Sequence, residues 1–405
     1  LAKVSREQPN TTVFPAYTKN FLVILCLSGI ASSLSTIFVN VYLYKISLTI
    51  FEVVLFNFFS YLIWAPAFVV SGMISKKIER KFSLIIGSIF QLVFYFRVLH
   101  LGTESVNHVI ELATLFGIGS GFFWLSVNTL TVDYTTKQNR KWFNSVNGIC
   151  TSLTQMIGPL LGGWIVEFLP SLIGYQIIFS FSLFFFAIAI ALAFFLPNFG
   201  EKSCFQWKSV VKIHIDKEWR YLAYSFTCLA FRDGVISFVI SLWVFIVTGS
   251  ERVLGNFAFM TTALSIVTYY MIGKFSNEKQ KWPLIILGNV LLSLSFVVLS
   301  FDVNLFSLIV YGLVSAICIP MFTVPFDTLS LNSVSKFDQQ GRLRIEMVVA
   351  REMALSVGRI VSVGALAFIY GFSAHPAKII PWFLILLIIV GSMCIVFLKR
   401  YKYTL

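Results

Sequence analysis

Residues 21–45 read FLVILCLSGIASSLSTIFVNVYLYK, a run in which no charge appears before Lys45. As a helix rising about 1.5 Å per residue it is long enough to cross the roughly 30 Å of a bilayer's hydrocarbon. Comparable runs recur as far as Leu398, at 51–75, 83–101, 107–135, 142–169, 173–196, 220–248, 253–275, 283–301, 305–331, 343–371 and 378–398. Hydrocarbon offers the backbone no hydrogen-bond partner, so only helices or a closed barrel span it. These runs are too long and continuous for barrel strands, which alternate. With 58% hydrophobic, 17% aromatic and 12% charged residues, the 405-residue chain has more apolar surface than a soluble core could hide. An all-α polytopic membrane protein of twelve spans is the expected class.

The charges test the count. Lys3, Arg6, Lys19, Lys76, Lys77, Arg80, Lys81, Lys137, Arg140, Lys141, Lys202, Lys208, Lys212, Lys217, Arg220, Lys274, Lys279, Lys281, Lys336, Arg342, Arg344, Lys399, Arg400 and Lys402 fall in one alternating set of loops. The other set holds only Lys45, Arg97, Arg252 and Lys378. Basic loops stay on the cytoplasmic side, which predicts that both termini are cytoplasmic in a cell membrane. Short loops carry the +13 net charge, so a membrane surface fits it better than nucleic acid. The six scattered cysteines form neither a disulfide framework nor a zinc pattern. Residues 1–20 are polar and lack the apolar core and cleavage site of a signal peptide, so the first run is expected to remain a span.

The longest internal loop divides the chain. The expected organisation is a terminal segment 1–20, a six-helix bundle 21–197, a linker 198–219, a second bundle 220–398 and a tail 399–405. In the linker, Trp207, Val210, Val211, Ile213 and Trp219 alternate with Lys208, Lys212 and Lys217. That pattern reads either as a short amphipathic helix on the inner leaflet or as a solvated connection. Gly72 and Gly87 flank a basic turn and are echoed 201 residues later by Gly273 and Gly288. A weaker echo links Gly117 and Ser120 with Gly312 and Ser315. Parallel six-helix repeats suit a transporter, because two similar bundles can rock about a central site.

Over its whole length the chain resembles the major facilitator superfamily. In the fifth span, Gly158-Pro159-Leu160-Leu161-Gly162-Gly163 resembles the end of the motif associated with that family's drug/proton antiporter branch. Glycines at this spacing permit close helix approach, and Pro159 frees a backbone carbonyl. The motif's earlier glycine positions are Ser145 and Thr154 here. The loop after the second span resembles the superfamily's signature through Gly72, Lys76, Arg80 and Lys81, with Lys76 at the usually acidic position and Glu79 at the second glycine. The fourth-span arginine of proton antiporters is replaced by Ala113. The resemblance implies two pseudo-symmetric six-helix bundles and secondary active transport by alternating access. It also implies that the first, fourth, seventh and tenth spans line the cavity, where Asn40, Trp124 and Asn128 are candidates, with ordinary packing the alternative for each.

An ionisable group at mid-bilayer costs about 2.5–3.5 kcal/mol on insertion scales, so each one needs a partner, a wet cavity or a function. The seventh span carries Arg232 and Asp233; the eleventh carries Arg351, Glu352 and Arg359, with Glu346 near its start. At about 100° per residue, Glu352 and Arg359 share a face two turns apart. Asp233 and Glu352 are expected to pair with arginines of these two spans in a network that protonation or substrate rearranges. A permanent lattice fixing helix packing is the alternative. Three arginines against two acids leave a surplus positive charge that favours an anionic group. Asp133 and Asp327 read as end-of-span caps or loop partners, Glu111 as interfacial, and Pro320 and Pro325 as bends suited to a gate or to static shape.

The four histidines lie near span ends or in loops without a His-Glu-x-x-His pattern, which argues against a membrane-embedded enzyme, and nothing resembles a channel filter. The expectation is a monomeric secondary transporter without a cofactor, in contact with lipid, exporting a small molecule in exchange for protons. Proton-coupled uptake, or flipping of an anionic amphiphile, is the alternative.

Overall fold

The structure, a computed structural model, describes residues 14–136, 139–169, 172–198, 203–275, 280–337, 342–373 and 375–402. The helices are α1 (Ala16–Ser47), α2 (Ile50–Lys77), α3 (Arg80–Leu101), α4 (Val109–Asp133), α5 (Arg140–Phe168), α6 (Ile173–Phe194), α7 (Trp207–Ile213), α8 (Lys217–Thr248), α9 (Glu251–Phe275), α10 (Lys281–Phe301), α11 (Leu305–Phe337), α12 (Arg344–Phe372) and α13 (Pro376–Lys402). Among the described residues, every helix but α7 is long and apolar enough to cross a membrane, which makes twelve spans. The chain is a multi-pass membrane protein. The start of α1 and the end of α13 share one face, called the terminal face below; the other is the opposite face.

In the first half α4 packs on α2 and α3, while α1 packs on α5 and α6. In the second half α8 packs on α12 and α13, and α11 on α9 and α10. The glycine echoes occupy equivalent crossings. A Cβ on Gly87 would meet the Phe123 backbone of α4, and one on Gly288 the Cys318 and Phe322 backbone of α11. Gly117 likewise abuts α2 at Ser60 and Ile63, as Gly312 abuts α9 at Phe257 and Thr261.

The same offset of 201 governs two turns. α1 ends on Leu48 and α8 on Gly249, both left-handed (φ 57° and 65°), and their amides donate to the Tyr44 and Phe245 carbonyls. Glycine takes this conformation freely, whereas a leucine side chain is strained there. Tyr44 and Phe245, themselves equivalent, meet edge-on across the two halves with ring centroids 6.3 Å apart.

The halves also meet along α2–α12 and α5–α9. α2 and α12 touch along much of their length, with Gly371 against Phe51, Gly364 against Phe58, and Gly72 against Ile345 and Val349. α5 and α9 touch toward the opposite face, where a Cβ on Gly163 would lie 2.4 Å from the Glu251 carbonyl oxygen. Toward the terminal face, Gly148 of α5 and Gly273 of α9 face open space. Gly273 is the repeat partner of Gly72, so one crossing is closed at a position where its equivalent is open.

The linker does form a helix, but α7 is docked on protein rather than simply laid on lipid. Val210 and Ile213 are buried with Trp219 and Leu343. The Ser203 amide donates to the Lys76 carbonyl, and Asp216 caps α8 by accepting from the amides of Glu218 and Trp219. Burial beside Trp219 holds the His214 imidazole below its ordinary value.

Candidate functional site

The site is built where α8 and α12 cross. A Cβ on Gly358 would lie 2.2 Å from the Thr227 carbonyl oxygen, and one on Gly234 would lie 3.0 Å from the Arg359 Cα. Small residues at both contacts let the backbones approach, and this closeness sets Asp233 beside Arg359. Arg359 Nη1 donates to Glu352 Oε1 at 2.7 Å, the two-turn pair expected from the sequence. Arg232 Nε donates to Asp233 Oδ1 at 2.9 Å.

These two pairs differ in setting. Arg232 points into the second half, where its Nη1 donates to Asn289 Oδ1 at 3.0 Å and Asn289 Nδ2 donates to Ser392. Gly391 leaves the room: a Cβ there would sit 2.9 Å from the arginine's own Cβ. The Arg232 side chain is 6% exposed, while Asp233 is 52% exposed. The arginine is thus a fixed anchor and the carboxylate is the accessible partner. Arg359 instead reaches the first half, with its guanidinium carbon 5.7 Å from the Tyr61 ring and 5.5 Å from the Trp64 ring of α2. The Tyr61 hydroxyl lies 3.1 Å from Ser237 Oγ of α8, a second polar link between the halves.

The surplus positive charge is not present. Arg351 Nη2 lies 3.5 Å from Asp327 Oδ1, so α11 supplies a third acid to match the third arginine. Arg351 also lies over the Phe226 ring. Asp327 is therefore a partner of the embedded network, and the argument for an anionic substrate loses its basis.

Of the expected cavity-lining residues, Trp124 and Asn128 share the exposed stripe of α4, and the Asn128 amide donates back to the Trp124 carbonyl. Asn40 does not line an opening. It is buried, and its Oδ1 accepts from Asn57 Nδ2 at 2.8 Å, because a buried amide on α1 needs a partner and α2 supplies one.

The Gly-Pro motif sits on two interfaces at once. Gly158 and Gly162 abut α1 at Ser33, Leu34 and Phe38, while the Pro159 carbonyl and Gly163 abut α9 at Gly255 and Glu251. Around this crossing, Glu251 accepts from Lys45 Nζ at 2.7 Å and from the Tyr175 hydroxyl at 2.8 Å. Glu167 accepts from the Ser250 hydroxyl and from the Arg252 amide. The start of α9 is thereby held to α1, α5 and α6 on the opposite face. Pro320 and Pro325 are both buried in α11, which stays helical through them.

On the terminal face, Lys76 Nζ donates to Glu346 Oε1 at 2.5 Å and to the Arg342 carbonyl at 3.1 Å. Both side chains are buried, at 6% and 0% exposed, and the Gln206 amide donates to the same carboxylate oxygen. The unusual lysine in the loop motif has thus found an acid in the first turn of α12, where negative charge also suits the helix dipole. Arg80 pairs with Asp133 at the end of α4, and Lys81 Nζ donates to the Leu196 carbonyl. Glu111 pairs with Arg97 on the opposite face. The residues missed from sequence are Tyr61, Trp64, Lys45 and Glu251.

Residues 101–342 match the family model described as Major Facilitator Superfamily. The chain is 34% identical over 349 residues to Uncharacterized protein YqgE of Bacillus subtilis (strain 168), covering 85% of this chain and 81% of that one. It is 34% identical over 164 residues to an uncharacterized protein in the sodM 3' region of Geobacillus stearothermophilus, covering 40% and 77%. The fold resembles the crystal structure of the human organic anion transporter MFSD10 (TETRAN), with a TM-score of 0.66, 13% identity and coverage of 96% and 100%.

Proposed function

The chain belongs to the Major Facilitator Superfamily and is a secondary transporter, and from that premise we propose that it couples export of a small molecule to proton entry through Asp233. In this reading the bundles 21–197 and 220–398 rock about the contact that Arg359, at the α8/α12 crossing, makes with Tyr61 and Trp64 of α2, in a monomer with the terminal face in the cytoplasm of a cell membrane.

One observation carries the reading: Asp233 is accessible while its partner Arg232 is anchored in the second half. A permanent lattice would bury both partners. In this reading Asp233 faces the transport path, where a proton or a ligand reaches the acid without moving the arginine. Neutralising Asp233 removes the negative charge beside Arg359, the side chain that spans the halves at Tyr61 and Trp64. Protonation is thereby linked to the contact on which the bundles turn. The Gly158–Gly163 crossing and the Lys76–Glu346 pair act as the gates of the opposite and terminal faces, with Pro320 and Pro325 shaping α11 beside the path.

The test is internal pH in proteoliposomes as cationic and then anionic amphiphiles are added. Proton movement with at least one panel, lost in Asp233→Asn, is expected. Silence with every compound, or undiminished movement in the variant, overturns the coupling role.

A further inference from the structure

Arg359 occupies an arrangement that would bind a cation if the arginine were absent. Two ring faces from α2, Tyr61 and Trp64, stand 5.7 and 5.5 Å from its guanidinium carbon, and their centroids are 6.4 Å apart. Glu352 closes a third side at 2.7 Å. Asp233, on the segment of α8 that abuts Arg359, adds a second carboxylate, bonded on one oxygen to Arg232 Nε at 2.9 Å while the end of that arginine turns into the second half. Aromatic faces with convergent carboxylates favour cations through the ring quadrupole and direct charge.

We propose that this cage is the substrate's own site, that Arg359 is its tethered occupant, and that the transported molecule is an organic cation. The proposal rests on reading the α8/α12 crossing as the transport site. A cation entering from solution takes the rings and carboxylates, and Arg359 swings out. Because the rings belong to the first half and Arg359 to the second, the exchange breaks a contact between the halves. Return of Arg359 to the cage expels the ligand. An anion would instead meet the exposed Asp233 carboxylate, with Arg232 buried behind it.

The experiment is equilibrium binding of radiolabelled tetraphenylphosphonium to the purified full chain in detergent, beside its isosteric anion tetraphenylborate. The wild type is expected to prefer the cation. Arg359→Gln, which vacates the cage, is expected to tighten cation binding about 5- to 30-fold, the range of one desolvated cation–π contact. Adding Trp64→Leu should abolish that gain. Trp64→Leu alone removes the same contact from Arg359 and from the entering cation, so it should leave wild-type cation binding within about threefold. Equal or weaker cation binding in Arg359→Gln, an undiminished gain in the Arg359→Gln/Trp64→Leu double variant, or preference for tetraphenylborate overturns the proposal. The wild type's preference between the two ions keeps the test decisive should Arg359→Gln fail to fold. Binding needs no proton movement, so cation binding with silent vesicles would fail the coupling alone, and proton-coupled anion transport without cation binding would fail the cage alone.

Discussion

Reversing Lys76 to glutamate sets two carboxylates against each other inside the α2–α12 interface. The pair is buried on both sides, at 6% and 0% exposure, so water cannot take over the lost partner. Breaking a buried pair by changing one member costs about 3–5 kcal/mol. At roughly 2–4 °C per kcal/mol for a unit of 150–250 residues, Lys76→Glu should lower the melting temperature by about 6 °C or more. Glu346→Lys should do the same, with a further loss because the Gln206 amide would have no acceptor. The double reversal restores the attraction but neither that acceptor nor the helix dipole's preference for an acid, a term of about 0.3–1 kcal/mol. It should therefore recover about half of the lost stability. Thermal unfolding of the purified proteins in one detergent reads all four. Single variants melting within about 1 °C of wild type, or a double reversal no better than either single, would refute the reasoning.

Leu48→Gly should raise the melting temperature, since it relieves a left-handed leucine that is 77% exposed and so forfeits little packing; the gain is about 0.5–1 kcal/mol, and no gain on melting would count against the strained turn. Gly163→Leu should push α9 away from α5 on the opposite face, read as faster maleimide labelling of a Ser250→Cys reporter there. His214 has a folded-state value below its ordinary 6.5, so the unfolded chain takes up the proton first and stability falls as pH drops below about 6.5. His214→Gln should flatten that acid-side fall in pH-dependent melting.

The membrane class was legible because span length and loop charge are set by the bilayer, whichever residues supply them. The repeat was legible where both copies kept glycine, at Gly87 and Gly288, because only glycine tolerates those helix contacts. It was hidden at Leu48 and Gly249, and at Tyr44 and Phe245, where the geometry recurs but the residue types differ. Charges in apolar runs stand out, so Arg232, Asp233, Glu352 and Arg359 could be picked from sequence. Asp327 was misjudged because nearness to a span end says nothing of what Arg351, a long side chain on another helix, can reach. For Asn40 the choice between cavity and packing stayed open, because helix order alone could not show Asn57 facing it. Tyr61 and Trp64 carried no usable signal in a chain with 15 Tyr, 9 Trp and 43 Phe, most of which lipid and packing can explain.

The most direct test of Asp233 as the coupling group is the distance between spin labels on α5 and α9 at the terminal face. Gly148 and Gly273 have open space for them, in a chain freed of its native cysteines. At one pH, Asp233→Asn, which fixes the side chain uncharged, should shift the distance distribution relative to the otherwise wild-type chain. A distribution that Asp233→Asn leaves unchanged would contradict the account.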